Sequence, residues 1–433
     1  MKNEKKQGWL TLLFLVLFGQ LLIPNAYSYW YFYDLALLQL NKDSYPEVCV
    51  LSDDIVFKGN AYSLTSDTYF YLTTLINANG VFQNPLNVLL GKDSPKYVNK
   101  AYLSAGDLNN DGYIDTVATA INRDSVIILL QKADSSGTFD LALVTEVGGT
   151  PQKTAIGDLN ADGINDIAVS GTNGNLIILL NDPSIPGHLF IPKSLNHKSV
   201  YIDIGDLNHD HRNDIVLAGT DNVVVLFQDE INRGNFVDTL NLTAGTRPSC
   251  VKIVDMDNDG FNDIVAGFRG SDGSQNIGSI SIFYQDPTSP DSFLSPITYS
   301  LSCEALDIDV GDLNSDGLLD IAVASKCAGE GSIKLLFQDK AENRTFSLAK
   351  SLLCEDVPFA LKIADMDQDG RNDIVVSDWD VIAFYQNGTI PGDFSEQDII
   401  LKSKLSNGGG GSSGSGGGSG GEGGGCFINT ISL

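Results

Sequence analysis

Six nine-residue segments of the chain repeat one spacing of oxygen-bearing side chains. Each has Asp or Asn at positions 1, 3 and 5 and Asp at position 9. The segments begin at Asp107, Asp158, Asp206, Asp255, Asp312 and Asp365. Carboxylates held this close repel one another by about 1 to 4 kcal/mol per pair, depending on the local dielectric. The spacing therefore predicts a bound hard cation.

Calcium is the cation that this order of donors predicts. It takes six to eight oxygen ligands in flexible geometry, and a loop with ligands at positions 1, 3, 5 and 7 and a turn-forming Gly at position 6 is typical of its sites. Position 7 contributes its backbone carbonyl. The predicted metal residues of the six sites are Asp107, Asn109, Asp111, Tyr113, Asp115, Asp158, Asn160, Asp162, Ile164, Asp166, Asp206, Asn208, Asp210, Arg212, Asp214, Asp255, Asp257, Asp259, Phe261, Asp263, Asp312, Asn314, Asp316, Leu318, Asp320, Asp365, Asp367, Asp369, Arg371 and Asp373.

The segments are not EF-hands. An EF-hand needs a bidentate Glu at position 12 and flanking helices, whereas position 12 here is always apolar and lies in a short strand-like run such as Ile167-Ala168-Val169. The loop is therefore expected to join two strands. A single copy would be read as an Asx-rich turn without metal, but six copies favour metal binding.

The six loops are not equal. Asp257 and Asp367 give the fourth and sixth copies an additional carboxylate where the others have Asn, so these two should bind calcium most tightly. His211 replaces Gly in the third copy. That position requires positive φ, which His adopts more readily than β-branched residues, and the third site should be the weakest.

A second repeated feature counts the units. A turn ending in Phe, usually with Gly two or three residues earlier, recurs at Phe82, Phe139, Phe190, Phe236, Phe293, Phe346 and Phe394. Each of the seven units contains four short apolar or alternating runs, and no long stretch keeps a helical period. The pattern predicts an all-β, seven-bladed β-propeller of four-stranded antiparallel blades, with calcium loops in six of them.

The first unit departs from the pattern. From about Tyr45 to Lys92 it keeps its Phe but has Ser52-Asp53-Asp54 where the metal loop is expected, which predicts no ion. Residues 32–40 resemble the strand after Phe139 and could supply an extra strand that closes the ring. Whether that strand pairs with the last blade, in place of residues 399–405, stays open.

The ends of the chain differ from its middle. Residues 1–28 have a basic start, an apolar stretch and a small-residue cleavage site at Ser28, which predicts a signal peptide and export. The propeller is expected over 29–406, with no membrane span in the mature chain. Residues 407–433 form a Gly/Ser-rich flexible tail containing Cys426, a possible means of surface attachment.

Charge and cysteines narrow the function. The net charge of −28 belongs largely to the predicted ligands and argues against nucleic acid and anionic membranes as partners.

Four cysteines are expected on the face opposite the calcium loops: Cys250, Cys303, Cys327 and Cys354. Cys327 should be bonded to Cys303 or Cys354, while Cys49 should be a buried thiol. Partner contact is expected on that opposite face around blades five to seven, near Trp379 and residues 270–277.

The repeated Gly-Asp-Leu-Asn-x-Asp-Gly-x-x-Asp-Ile, the strand ending Leu-Phe-Gln-Asp and the Gly-x-Phe turn resemble the FG-GAP/VCBS repeat family over residues 45–405. That family includes the integrin α propeller and many secreted bacterial proteins, and the resemblance implies calcium ligands at Asp107, Asn109, Asp111, Asp115 and their equivalents. For function the resemblance is less specific, because propellers host adhesion, carbohydrate lyase and structural roles alike. The expected function is a secreted or cell-surface module that binds an extracellular protein or glycan.

Two other functions stay open. No His lies in a zinc spacing or beside a nucleophile motif, so no catalytic residues are assigned and the chain is not expected to be an enzyme. A calcium-dependent polysaccharide lyase or glycosidase remains an alternative, with Lys326 or Arg269 as candidate base by position. A purely structural envelope module is the third possibility.

Overall fold

The structure is a computed structural model that describes residues 27–38, 46–60, 63–75, 77–78, 81–82, 86–93, 102–120, 124–133, 138–172, 175–188, 190–270, 278–327, 330–342, 344–378, 380–394 and 396–401. The predicted signal peptide up to residue 26, residues 271–277, Trp379 and the Gly/Ser tail with Cys426 lie outside these ranges. Within the described ranges all regular structure is β, as predicted.

Seven four-stranded antiparallel blades follow one another along the chain, each with its strands in chain order. Blade 1 consists of β1 (Tyr27–Leu38), β2 (Glu47–Asn60), β3 (Ser63–Leu75) and β6 (Leu86–Asp93), and blade 2 of β7 (Leu103–Gly106), β8 (Asp115–Ala120), β9 (Ser125–Gln131) and β10 (Phe139–Glu146). Blade 3 consists of β11 (Pro151–Gly157), β12 (Asp166–Gly171), β13 (Leu176–Asn181) and β14 (Phe190–Leu195). Blade 4 consists of β15 (Ser199–Gly205), β16 (Asp214–Gly219), β17 (Val223–Gln228) and β18 (Phe236–Leu242).

Blades 5 to 7 have the same arrangement. Blade 5 consists of β19 (Pro248–Val254), β20 (Asp263–Phe268), β21 (Ser279–Phe283) and β22 (Ile297–Ser300). Blade 6 consists of β23 (Glu304–Gly311), β24 (Asp320–Cys327), β25 (Glu330–Gln338) and β26 (Phe346–Leu353). Blade 7 consists of β27 (Ala360–Ala364), β28 (Asp373–Ser377), β29 (Val381–Tyr385) and β30 (Glu396–Leu401). A two-stranded hairpin of β4 (Asn77–Ala78) and β5 (Val81–Phe82) precedes the last strand of blade 1.

The first strand of each blade lines the central axis. These strands contact the first strands of the neighbouring blades, and all seven contribute residues to an axial cavity of about 370 Å³. The residue before position 1 of the acidic loop lies at this crowded contact. At Gly106 an added Cβ would be 2.7 Å from Ile156 Cγ2 of the next blade. The Gly-Asp pair of the repeat therefore reflects close packing of neighbouring first strands.

The hydrophobic core lies between blades. Seven buried clusters each draw on two adjacent blades, and one of them joins blade 1 to blade 7. In that cluster Leu35 and Val48 pack with Val375 and Val381, all of them 0% exposed. Because every blade buries both faces against its neighbours, the ring is closed by side-chain packing.

The strand that precedes the first repeat belongs to blade 1 and not to blade 7. Residues 27–38 form the first strand of blade 1, and blade 7 is complete with its own fourth strand, β30. The expected start of the first unit near Tyr45 is wrong, since blade 1 begins at β1. Ser52-Asp53-Asp54 is also not in a loop: it lies within β2, and residues 39–46 connect β1 to β2.

Among the described residues, the search for an apolar helix long enough to cross a membrane finds none.

Replacing Leu35 with Ala tests the packed closure. Removing this buried side chain should lower the stability of the fold by about 2–5 kcal/mol and lower the melting temperature by several degrees. Leu141→Ala is the matched control, because that leucine is 59% exposed and its loss should cost less than about 0.5 kcal/mol. Equal melting temperatures for the two variants would contradict closure through this cluster.

Candidate metal centres

All six acidic loops connect the first strand to the second strand of a blade, in blades 2 to 7, and therefore lie on the same face of the ring. The apolar residue at position 2 anchors each loop, since it is at most 1% exposed in every copy. Position 12 is buried in the second strand, as the prediction of a strand-to-strand loop requires.

The aspartate at position 1 folds the loop around itself. In the first copy Asp107 Oδ1 accepts a hydrogen bond from Asp111 N at 3.2 Å, and Oδ2 accepts one from Gly112 N at 2.9 Å. All six copies have this pair, with distances between 2.8 and 3.2 Å. Backbone hydrogen bonds alone therefore wrap the loop around this carboxylate.

Two positions of each loop adopt left-handed backbone. Position 6 does so with φ between 66° and 91°, and His211 has φ 66°, as the sequence predicts. His211 N still donates to Asp206 at 2.8 Å, so the third loop keeps the geometry of the others. Position 4 also has positive φ in every copy, although none of its residues is Gly, and the sequence analysis missed this.

The aspartate at position 9 is buried and ties the loop to the blade. Asp115 Oδ2 accepts a hydrogen bond from Leu108 N, and Oδ1 accepts one from Gln131 N at the end of the third strand, both at 2.8 Å. The same two bonds occur in the other five copies. Each carboxylate oxygen thus accepts one backbone bond and keeps further acceptor capacity toward the loop.

Burial raises the pKa of these position-9 carboxyls. Desolvation is the largest cause, the two backbone hydrogen bonds oppose it, and the neighbouring aspartates add to it. The pKa is about 6 for Asp115 and Asp373 and about 7 for Asp166, Asp214, Asp263 and Asp320. A cation in the loop would oppose this rise, because a nearby positive charge favours the ionised form.

Position 3 brings the acidic groups closest together in two loops. Carboxylate oxygens of Asp255, Asp257 and Asp263 lie within 4.8 Å of one another, and an equivalent cluster joins positions 1, 3 and 9 of the sixth loop, at Asp365, Asp367 and Asp373. These are the two loops with the additional carboxylate. Asp257 Oδ1, and Asn208 Oδ1 of the third loop, are also buried without a hydrogen-bond partner. Such oxygens fit a cation well.

Arginine side chains approach several of these carboxylates. Arg344, from the next blade, places Nε 2.5 Å from Asp257 Oδ2 and Nη2 3.4 Å from Asp259 Oδ2. Arg212 lies 2.5 Å from Asp210, and the position-7 Arg371 pairs with its own position 5. Each of the two loops with an additional carboxylate therefore has an arginine beside its ligand carboxylates, which partly neutralises the charge that a cation would meet.

Contacts between blades connect successive loops, and the sequence analysis missed them. Asn165, at position 8 of the second loop, donates from Nδ2 to Asp107 O of the first loop at 2.8 Å. Equivalent bonds run from Asn213, Asn262 and Asn372 to position 1 of the preceding loop. Gly187 of the Phe turn lies beneath position 3 of the preceding blade, where an added Cβ would be 3.0 Å from Asn109 Cβ. The recurrence of Asn before the position-9 Asp in four of the six loops is the sequence feature that could have predicted these bonds.

The first blade offers a different candidate at this face. Glu47 is the first residue of β2, the register position that Asp115 holds in β8, and it is fully buried. The connection before it, residues 39–45, lies outside the described residues. The predicted absence of an ion in blade 1 was argued from Ser52-Asp53-Asp54, which is not the equivalent segment, so that argument no longer applies.

On the opposite face the structure joins Cys303 to Cys327, one of the two predicted pairs, across the first two strands of blade 6. Cys49 is fully buried in β2, as expected for an inert thiol. Arg269 and Lys326, the candidate bases of the lyase alternative, both lie at this face and line one cavity.

The fold and loops define the class of protein: a β-propeller built from acidic-loop repeats. Residues 107–169, 206–266 and 312–376 match the FG-GAP-like repeat family. The chain therefore carries FG-GAP-like repeats, and the resemblance seen in the sequence is confirmed at these regions.

Three known proteins are similar to stretches of this chain. Phosphatidylinositol-glycan-specific phospholipase D of Rattus norvegicus is 30% identical over 149 residues, and the match spans 28% of this chain and 17% of that protein. The biofilm matrix protein Bap1 of V. cholerae is similar over 88% of this chain and 82% of that one, with 12% identity and a TM-score of 0.41. A Lactobacillus plantarum protein is similar over 77% and 98%, with 11% identity and a TM-score of 0.47.

Replacing Asn165 with Leu, the residue type that the fifth loop has at this position, tests the coupling between loops. Loss of the bond leaves the half-buried Asp107 carbonyl without this donor, which should cost about 1 kcal/mol and lower the melting temperature. Asn196→Leu is the control, because that asparagine is exposed. If both variants melt like the parent protein, the bond between blades does not contribute to stability.

Proposed function

We propose that the six loops each bind calcium and that the protein is a secreted or cell-surface propeller acting as an extracellular binding or adhesion module. One observation carries the proposal. Six loops hold their aspartates in the same wrapped geometry, with a buried carboxylate at position 9 and acceptor oxygens at positions 1, 3 and 5. Several oxygens around one point suit a hard cation such as calcium.

Calcium would supply charge neutralisation and stiffness. The position-1, 3, 5 and 9 side chains of each loop would hold it, together with the position-7 carbonyl. Mutual repulsion among these carboxylates would otherwise work against the fold. An ion that binds the folded state alone adds RT ln(1 + [L]/Kd) to its stability, which is about 2.7 kcal/mol per site at a hundredfold excess over Kd.

Two features support the extracellular assignment. The basic and apolar start of the chain is typical of a signal peptide, and a disulfide between Cys303 and Cys327 suits an oxidising compartment. Calcium is abundant outside cells, where weaker loops are still occupied. Residues 407–433 would then serve for surface attachment, with Cys426 as the attachment point.

Binding is favoured over catalysis by how the acidic groups are used. Position-9 carboxyls are committed to backbone hydrogen bonds, and the others are loop ligands, so they are poor proton donors in the calcium form. The match to the phospholipase covers 17% of that protein, which is too little to argue for a phospholipase activity in this chain. Incubation with a glycan panel separates the alternatives: retention without product indicates a binder, and unsaturated or new reducing ends indicate a lyase or glycosidase.

Removing calcium tests the metal proposal. Excess chelator should lower the melting temperature markedly relative to millimolar calcium, and magnesium should restore less, because it prefers rigid octahedral sites with bound water. Asp316→Asn should reduce the calcium effect, whereas Asp221→Asn, an exposed aspartate outside the loops, should leave it unchanged. Identical melting in chelator and calcium would refute the proposal.

The position-9 carboxyls predict how pH changes this effect. Burial raises the pKa of Asp166 to about 7, above the value of about 4 in an unfolded chain. Between those values the folded, metal-free protein binds more protons than the unfolded chain, so these groups make it less stable as pH rises through that window.

Because calcium binds the ionised carboxylate, it offsets this loss most at high pH. We therefore expect the difference in melting temperature between calcium and chelator to be larger at about pH 7.5 than at about pH 5.5. A difference that is equal at both values, or larger in acid, would contradict the role of these carboxyls.

A further inference from the structure

We infer that the face opposite the acidic loops carries a basic cleft that binds a short carboxylate-bearing oligosaccharide. The inference rests on the proposed function as a binding module, and it assigns that function a site and a ligand class. The cleft is a cavity of about 650 Å³ at the axis, where the connections between blades meet the turns after the second strands. This volume is within the usual range of about 300–1,000 Å³ for small-ligand sites.

The charge of the cleft opposes that of the whole chain. The protein has 55 acidic and 27 basic residues. Yet the described residues that line the cleft include five cationic side chains, Lys153, Lys198, Arg247, Arg269 and Lys326, and one carboxylate, Glu304. One of the five, Lys153, is paired with the buried Asp34, which leaves four cationic side chains against one carboxylate. Basic groups gathered in a concave site with low-dielectric walls focus a positive potential. A protein of net charge −28 thus has a local attraction for anions.

Blade 5 fixes the two arginines relative to one another. Arg247 immediately precedes β19 and Arg269 immediately follows β20, and Arg269 N donates a hydrogen bond to Arg247 O at 3.1 Å. Arg247 has φ 60°, and Thr150, which precedes β11 in the same way, has φ 49°, so this turn is a regular feature of the entry into a blade. The two guanidinium groups therefore project from one constrained corner.

Blade 6 constrains the opposite wall. Lys326 lies opposite Glu304 in the register of β24 and β23, and the disulfide between Cys303 and Cys327 lies directly beside both residues. The wall contains one positive and one negative side chain. It is held by a covalent bond as well as by the strand ladder, which restricts the movement of Lys326.

The floor of the cleft is polar and holds buried acidic groups, one of which, Asp307, accepts a hydrogen bond from the Tyr201 hydroxyl. Lys153 is 7% exposed, and its Nζ lies 2.9 and 2.8 Å from the two carboxylate oxygens of Asp34. The ammonium also lies 5.2 Å from the centre of the Tyr102 ring and 5.1 Å from that of Tyr201. Because this buried pair cancels, the attraction for an anion comes from the rim.

The lining favours an acidic sugar over other anions. Planar guanidinium groups match the two oxygens of a carboxylate, while Ser199 and Thr220 line the cleft with neutral hydroxyl groups suited to hydroxyls. Tyr102 and the half-exposed Phe359 add apolar surface. Blades surround the cavity, so it accepts a compact chain end, whereas a running peptide requires a groove or a strand edge.

Binding of trigalacturonic acid to the full chain in millimolar calcium, measured by calorimetry, tests the inference. We expect a Kd at or below about 1 mM that weakens in high salt, with at least tenfold weaker binding of maltotriose, the neutral trisaccharide, and of triglutamate. The double variant Arg269→Gln with Lys326→Gln should bind at least tenfold more weakly than the parent. Lys132→Gln, at an exposed lysine outside the cleft, should bind like the parent.

A milder variant guards against misfolding of the double variant. Arg269→Lys keeps the charge but loses the planar fork, and we expect about threefold weaker binding with an unchanged melting temperature. Undetectable binding of trigalacturonic acid, equal binding of maltotriose or triglutamate, or unchanged affinity in these variants would overturn the inference. Failure of the calcium proposal would appear instead as melting that is insensitive to chelator, so the two failures are distinguishable.

Discussion

The buried aspartate at position 9 is the group on which each blade of this ring depends. Its two oxygens accept hydrogen bonds from the start of the loop and from the end of the third strand, as Asp115 does with Leu108 and Gln131. One carboxylate therefore fixes the loop to the sheet. The same burial makes the ionised form costly and raises its pKa. A cation bound by positions 1, 3 and 5 would offset that cost, so structural and metal-binding roles coincide in one residue.

The ring divides the chemistry of the chain between two faces. Acidic loops gather on one face because every first-to-second-strand connection emerges there, and asparagine bonds such as Asn165 to Asp107 join loop to loop. The opposite face receives the connections between blades, which differ in length and carry the disulfide and the basic cleft. Since each blade packs its two faces on its neighbours, a stiff loop face would hold the cleft face in register. Calcium would thus support ligand binding at a distance, without contacting the ligand.

The sequence predicts the repeated part of this structure well and the unrepeated part poorly. Seven blades and strand-to-strand loops follow from recurring aspartates and Phe turns, and positive φ at His211 follows from the Gly that stands there in other copies. Position 4 was missed because residues as different as Ala161 and Gln368 share its left-handed backbone. The place of β1 was missed because the loop after it lacks the repeated aspartates. The basic cleft was missed because its residues are some fifty positions apart, within connections that share no motif.

Calcium stoichiometry tests the central claim most directly. The full chain, stripped with chelator and dialysed to equilibrium against calcium near 1 mM, can be measured for bound metal per chain by elemental analysis. If the six loops are calcium sites as described, about six ions per chain should be found, and Asp316→Asn should reduce that number by about one. Less than one ion per chain at this concentration would show that the loops keep their shape through hydrogen bonds alone, and the account of the metal centres would be wrong.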